Sequence, residues 1–124
     1  MKKLDKETIL LFHEEIIEKY GGTHGVRDEN LLDSALNAPS QGFGGLEFFP
    51  TVIEKAARLC FGLVKNHPFH DGNKRIGTVA MLSMLDLNHI TLNATNRELA
   101  DVVLALAAGE IDDTDLLQWV QDHT

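Results

Sequence analysis

Residues 67–77 read HPFHDGNKRIG. Two histidines, a carboxylate, an amide and two cations crowd a stretch that also holds a proline, a phenylalanine and a glycine. His67 is a side chain able to take a proton near neutral pH. Asp71 is a hard oxygen ligand, suited to Mg²⁺ when phosphate oxygens complete the shell. Gly72 and Asn73 stand where a helix begins, and the first amides of a helix carry unpaired N–H groups and the positive end of the dipole. Such an end binds phosphate, and glycine permits close approach. Lys74 and Arg75 put full positive charge on the same first turn, where local helix preference calls for Asp or Glu. Base, metal ligand, phosphate cradle and cationic clamp are the parts of phosphoryl or nucleotidyl transfer.

Each residue alone has an ordinary reading. His67 can be a surface or capping histidine, Phe69 core packing, Asp71 an N-cap, Asn73 a turn residue, and Lys74 and Arg75 solvated charges. Their concurrence is what points to chemistry, because a plain turn needs no cations against a helix dipole. A metal-dependent phosphohydrolase is the competing use of His67, His70 and Asp71. It requires a further histidine and carboxylate from His13, His24 or Asp28, and it leaves the GNKR segment without a role.

The elements that position this stretch are helical. Ile9, Phe12, His13, Ile16 and Tyr20 follow helical spacing, and Gly21-Gly22 stops that run. Asp28 caps a short second helix with Leu31, Leu32, Ala35 and Leu36, ended by Pro39. The glycine- and phenylalanine-rich SQGFGGLEFFP reads as a loop. Pro50 or Thr51 opens a third helix, which Pro68 forces to finish near Asn66. A fourth runs from about Asn73 to Leu87 and is apolar on all sides, so it is expected at the centre. Thr95 to Glu98 has the capping-box form and starts a fifth helix that ends at Gly109, and Asp112 or Asp113 caps a sixth. The HITLNA segment near Ile90 has extended character but no evident partner strand. The fold class is all-α: about six helices around a buried central one, with residues 1–124 forming a single domain.

Composition narrows the function. The formal net charge is −8 and no Lys/Arg cluster exists beyond Lys74-Arg75, so nucleic acid is not an expected partner. No run of about 18 apolar residues indicates a membrane span, and the N-terminus does not read as a signal peptide. The lone cysteine, Cys60, cannot form an internal disulfide and reads as a small buried hydrophobe in a cytoplasmic protein.

HPFHDGNKR is similar to the signature of the Fic/Doc superfamily, a histidine, a phenylalanine, an acidic position and then Gly/Ala-Asn-Gly/Lys-Arg. Lys74 resembles the Doc, death-on-curing, toxin branch, as does the upstream YGGTHGVRDENLLDSALNAP, and the likeness extends over nearly the whole chain. The resemblance implies a compact Fic/Doc fold with a flap, and ATP and Mg²⁺ as cofactors. It makes His67 the base toward a target hydroxyl, Asp71 the Mg²⁺ ligand and Phe69 the motif anchor. Gly72 and Asn73 would bind phosphate through backbone and side chain, and Lys74 and Arg75 would clamp the nucleotide. The segment Gly42, Phe43, Gly44, Gly45 and Leu46 would be the flap that docks a target by strand addition. Adenylylating relatives have glycine where Lys74 stands and a second arginine where Thr78 stands, so the likeness favours a kinase acting on a threonine of elongation factor Tu over an AMP transferase. His70, where an acidic residue is usual, is expected at the surface. No Ser or Thr is followed four residues later by Glu, the form of the family's inhibitory helix. Restraint is therefore expected in trans, from a Phd-like antitoxin.

Overall fold

Oxygen-bearing side chains mark the helix starts in the computed structural model, which describes residues 1–124. Asp5 accepts from the Thr8 amide to cap α1 (Lys6–Tyr20). Asp28 accepts from Leu31 for α2 (Glu29–Asn37), and Thr51 accepts from Glu54 for α3 (Val52–Asn66). α4 (Asn73–Leu87) starts on Gly72 with no side-chain cap. Both α5 (Asn96–Ala107) and α6 (Asp113–Asp122) open with full capping boxes, Thr95 with Glu98 and Asp112 with Asp115. Each such cap contributes about 1 kcal/mol. The expected all-α class holds, with one addition. The glycine-rich loop forms a small antiparallel hairpin, β1 (Gly42–Phe43) and β2 (Leu46–Glu47), after a 3₁₀ turn at Ala38–Ser40. Gly44 and Gly45, both at positive φ (59° and 80°), make the two-residue turn that matches strand twist. Residues 90–95 stay irregular, and Ile90 and Leu92 pack on the core instead of pairing.

The centre is shared by two helices. α4 buries Ile76, Ala80, Met81, Met84 and Leu85, but its Val79 and Leu82 are only half-buried. α3 packs on α2, α4, α5 and α6, whereas α4 packs on α1, α3 and α5. An all-round apolar sequence marked α4 as central; the more amphipathic α3 touches more of the fold because small residues let its neighbours close in. A Cβ on Gly77 of α4 would lie 2.7 Å from Val64 Cγ2 and 3.2 Å from the Cys60 carbonyl, and one on Gly62 would meet Ala35 Cβ at 3.0 Å. Cys60 is fully buried in this contact, and burial pushes its thiol up to about 12. It is an inert hydrophobe, as its surroundings in the sequence suggested.

The hairpin is fastened by a buried cation. Lys55, only 1% exposed, donates from Nζ to the Pro39 carbonyl at 3.0 Å and to Glu47 Oε1 at 2.8 Å. Beyond this tie the hairpin stands free, with Phe43 83% and Leu46 75% exposed.

Two outcomes follow. Gly77→Ala gains helix propensity but overpacks the α3–α4 contact, whose Val64 is stiff at χ1, and it should lower stability by about 1–3 kcal/mol. A urea midpoint equal to wild type would mean that the helices part freely. The Lys55 ammonium holds the Glu47 carboxyl below the ordinary glutamate value. A depressed native pKa means the tie contributes above the unfolded-state value and is lost as pH falls through the native one. Amide resonances of residues 42–47 should therefore titrate in the acid range, and Glu47→Gln should abolish the titration.

Candidate active site

α3 ends because Pro68 denies His67 helical angles. His67 instead takes a left-handed conformation, φ 51° and ψ 54°, with its side chain exposed. Pro68 and Phe69 then turn inward and are buried. Phe69 forms an isolated antiparallel bridge with Val26, and its ring stacks on His13 of α1 at 3.8 Å between centroids. The segment from Thr23 to Asp28 runs along the motif. The Arg27 and Asp28 amides donate to the Pro68 carbonyl at 2.7 and 3.0 Å, and the His70 amide donates to the Gly25 carbonyl at 3.2 Å. The His70 side chain is exposed, where the sequence put it.

Asp71 is held from two sides. Its carbonyl accepts from His13 Nε2 at 2.7 Å, and its Oδ2 accepts from the Thr23 amide at 2.6 Å. The Thr23 N–H stabilises the charged form, so the carboxyl lies below its ordinary value, helped by the nearby His70 and His67. Gly22 lies so close that a Cβ there would sit 3.0 Å from Asp71 Cβ. Asp71 is therefore not the N-cap of α4, a role its position allowed, because its carboxylate faces the Thr23 loop.

Asn73 has a different job from the one expected of its side chain. It is 4% exposed, and its amide group is committed to one residue. Oδ1 accepts from the Phe69 N–H at 2.9 Å and Nδ2 donates to the Phe69 carbonyl at 3.0 Å. This clamp closes the loop over residues 69–73 and ties the Asn73 side chain to the Phe69 backbone, while the Asn73 backbone amide stays unpaired.

The start of α4 is where an anion can be received. Gly72, at φ 79°, occupies the cap position, and a Cβ there would press on Ile17, Ile16 and His13. The first helical bond runs from the Ile76 amide to the Gly72 carbonyl, at 2.9 Å. The amides of Asn73, Lys74 and Arg75 have no hydrogen-bond partner. Lys74 is exposed and makes no ion pair. Arg75 is exposed and lies over the Tyr20 ring, 4.2 Å from its centroid. Thr78, at the second-arginine position, donates its hydroxyl to the Lys74 carbonyl at 2.8 Å.

His67, Phe69, Asp71, Gly72, Asn73, Lys74 and Arg75 thus share the turn between α3 and α4. The segment Gly42, Phe43, Gly44, Gly45 and Leu46 is elsewhere in the bonding pattern: its anchor, Lys55, lies about three helical turns before Asn66, and no hydrogen bond or ion pair joins it to the motif. The hydrolase reading fails on its ligands. His13 is engaged by Asp71, His24 pairs with Glu18 and Asp28 caps α2. No three His, Cys, Asp or Glu side chains converge as a metal site. The residues that sequence reasoning missed are the supports: His13 as a loop holder, Arg27, the Thr23 amide and Tyr20. A histidine at core spacing between Ile9 and Ile16 was the one available signal.

A model of the Fic/DOC family matches residues 3–85 of this chain. "Toxin Doc" of Mycolicibacterium smegmatis is 39% identical over 75 residues, which are 60% of this chain and 58% of that protein. The match therefore spans less than two thirds of that relative's length. "Protein kinase doc" of Escherichia phage P1 is 27% identical over 111 residues, 90% of this chain and 86% of the phage protein.

The His13 contact has two separable parts. His13→Phe keeps a stacking ring but leaves the partly buried Asp71 carbonyl without its donor, and it should cost about 1–3 kcal/mol. His13→Gln keeps a donor and loses the stack. Both should melt below wild type, and a wild-type melting curve for His13→Phe would show that the hydrogen bond does not hold the loop.

Proposed function

The chain belongs to the Fic/DOC family, and on that premise we propose that residues 1–124 act as the toxin of a toxin–antitoxin pair, phosphorylating a protein hydroxyl with ATP. The observation that carries this reading is the start of α4. It is the one helix of six without a side-chain cap; it has three unpaired amides, and Lys74 and Arg75 stand where the other helices place acidic residues. A polyanion resolves all three anomalies at once.

The residues present suit a magnesium nucleotide. Asp71 is exposed and ionised, with one carboxylate oxygen not engaged by Thr23. Mg²⁺ held there would neutralise charge between the carboxylate and the phosphates. The α4 amides and the Lys74 ammonium bind phosphate oxygens, and Arg75, steadied over Tyr20, covers the nucleotide's negative charge. His67 accepts the proton of the target hydroxyl. The hydroxyl oxygen forms a bond to the γ-phosphorus as the bond from that phosphorus to the β,γ-bridging oxygen breaks, and ADP leaves. A Thr78 occupied with the Lys74 carbonyl offers no second clamp of the kind adenylylating relatives carry, which favours γ- over α-phosphate transfer. The proposed target is a threonine of elongation factor Tu, docked against the exposed hairpin. The proposed restraint is a Phd-like antitoxin supplied in trans.

Incubation of the protein with bacterial lysate and ATP labelled at either the α or the γ position tests this. Label transferred from the γ position alone is expected. His67→Ala should reduce transfer about 10²–10⁴-fold in a folded protein. Lys74→Gly should lose phosphoryl transfer, because the ammonium that draws the phosphates is gone. Label from the α position would replace the reading with nucleotidyl transfer, and near-normal turnover by His67→Ala would remove His67 from the mechanism.

A further inference from the structure

α3 ends without the usual backbone closure. The last carbonyls of a helix need donors from the residues just beyond. Here the His67 amide makes no hydrogen bond and Pro68 has no N–H to give. A residue distant in sequence takes over. Arg27 donates from Nε to the His67 carbonyl at 2.8 Å and from Nη2 to the Asn66 carbonyl at 3.2 Å. Its own amide donates to the Pro68 carbonyl at 2.7 Å. One residue thus satisfies three consecutive carbonyls, at the point where the chain must hold a non-glycine residue left-handed.

We infer that Arg27 is a positioning residue whose guanidinium fixes His67 in its left-handed conformation and so sets the direction of the imidazole. This rests on the reading of His67 as proton acceptor. The left-handed state is disfavoured for histidine, and rotation of His67 to extended angles would change the direction in which its side chain leaves the backbone. The two guanidinium bonds oppose that rotation, because they fix the carbonyls on both sides of the His67 nitrogen and α-carbon. Only a planar fork can reach both at once; a lysine ammonium on a flexible stem offers a point donor and does not impose their relative orientation. The backbone contacts of Arg27 and Asp28 to Pro68 do not depend on the side chain. Removal of the guanidinium should therefore leave the segment docked and free only the histidine.

The experiment uses Arg27→Ala and Arg27→Lys in the full chain, with two readouts. The first is the NMR signature of the His67 backbone, its Cα and Cβ shifts and amide coupling, which report the sign of φ. Wild type should show positive φ, and Arg27→Ala should move toward negative values while shifts in α1 and α6 stay put. The second is phosphoryl-transfer kinetics: kcat should fall about 10–100-fold, as expected when a catalytic group is displaced by about an ångström, with KM for ATP within about twofold. Arg27→Lys should behave like Arg27→Ala, and added guanidinium ion should restore part of kcat to Arg27→Ala. A His67 that keeps its left-handed signature in Arg27→Ala overturns the inference. So does a KM effect without a kcat effect. If wild-type protein transfers no phosphate, the functional reading fails by itself, and the NMR readout still decides whether Arg27 sets His67.

Discussion

Pro68 can neither donate a hydrogen bond nor tolerate a helical residue before it, and the candidate site is arranged around that constraint. α3 must stop at Asn66, His67 must leave helical space, and the end of α3 must find donors elsewhere. The segment after Gly21-Gly22 supplies them. It lies along residues 66–71 as a backbone brace, with contacts at Gly25, Val26, Arg27 and Asp28. α1 then supports the far side of the loop through His13, under Phe69 and against the Asp71 carbonyl. The turn that carries the chemistry-bearing side chains is therefore over-determined in its backbone, while His67, Asp71, Lys74 and Arg75 remain exposed. Rigid backbone under exposed polar groups is the arrangement in which a functional group costs little reorganisation when it acts.

The price of that arrangement is local. A glycine cap and two first-turn cations weaken α4 relative to a start with Asp or Glu. The helix survives because Ile76, Ala80, Met81, Met84 and Leu85 are buried against α3 and its other neighbours. Burial of one Ile, Met or Leu side chain contributes about 1.5–3 kcal/mol, and the four here together exceed a cap of about 1 kcal/mol and dipole interactions of about 0.3–1 kcal/mol each. Packing thus stabilises a helix whose first-turn amides have no partner.

Much of this was legible in the sequence, for a physical reason. Helix limits are set by local chemistry, so Asp28, Thr51, Thr95, Pro39 and Pro68 announced them, and the six helices fall where their periodicity put them. The motif residues were legible because their types conflict with their position. Contacts between distant segments were not. His13 and Asp71 are 58 residues apart, and Arg27 and His67 are 40 apart. Nothing in the local pattern of either segment encodes the pairing. The Asn73 side chain is a case on a smaller scale: its hydrogen bonds to the Phe69 backbone show only in the loop geometry. Lys55 of α3 is likewise buried by a contact that local pattern does not show, its Nζ held by Glu47 of the returning hairpin and by the Pro39 carbonyl.

The electrostatic setting sharpens the reading of the α4 start. The chain carries a net charge of −8, so at long range it repels a nucleotide. Screening confines that repulsion to about 8 Å at physiological ionic strength. At the motif itself stand Lys74, Arg75 and three unpaired amides, together with the carboxylate of Asp71. Lys6, Lys55 and Arg58 are paired with carboxylates, whereas Lys74 and Arg75, like most other cations of the chain, have no acidic partner. Arg75 is even organised over Tyr20, which orders a charge that solvent would otherwise leave mobile. What sets Lys74 and Arg75 apart is their place: they stand on the first turn of α4 beside three unpaired amides, where the helix dipole by itself favours negative charge.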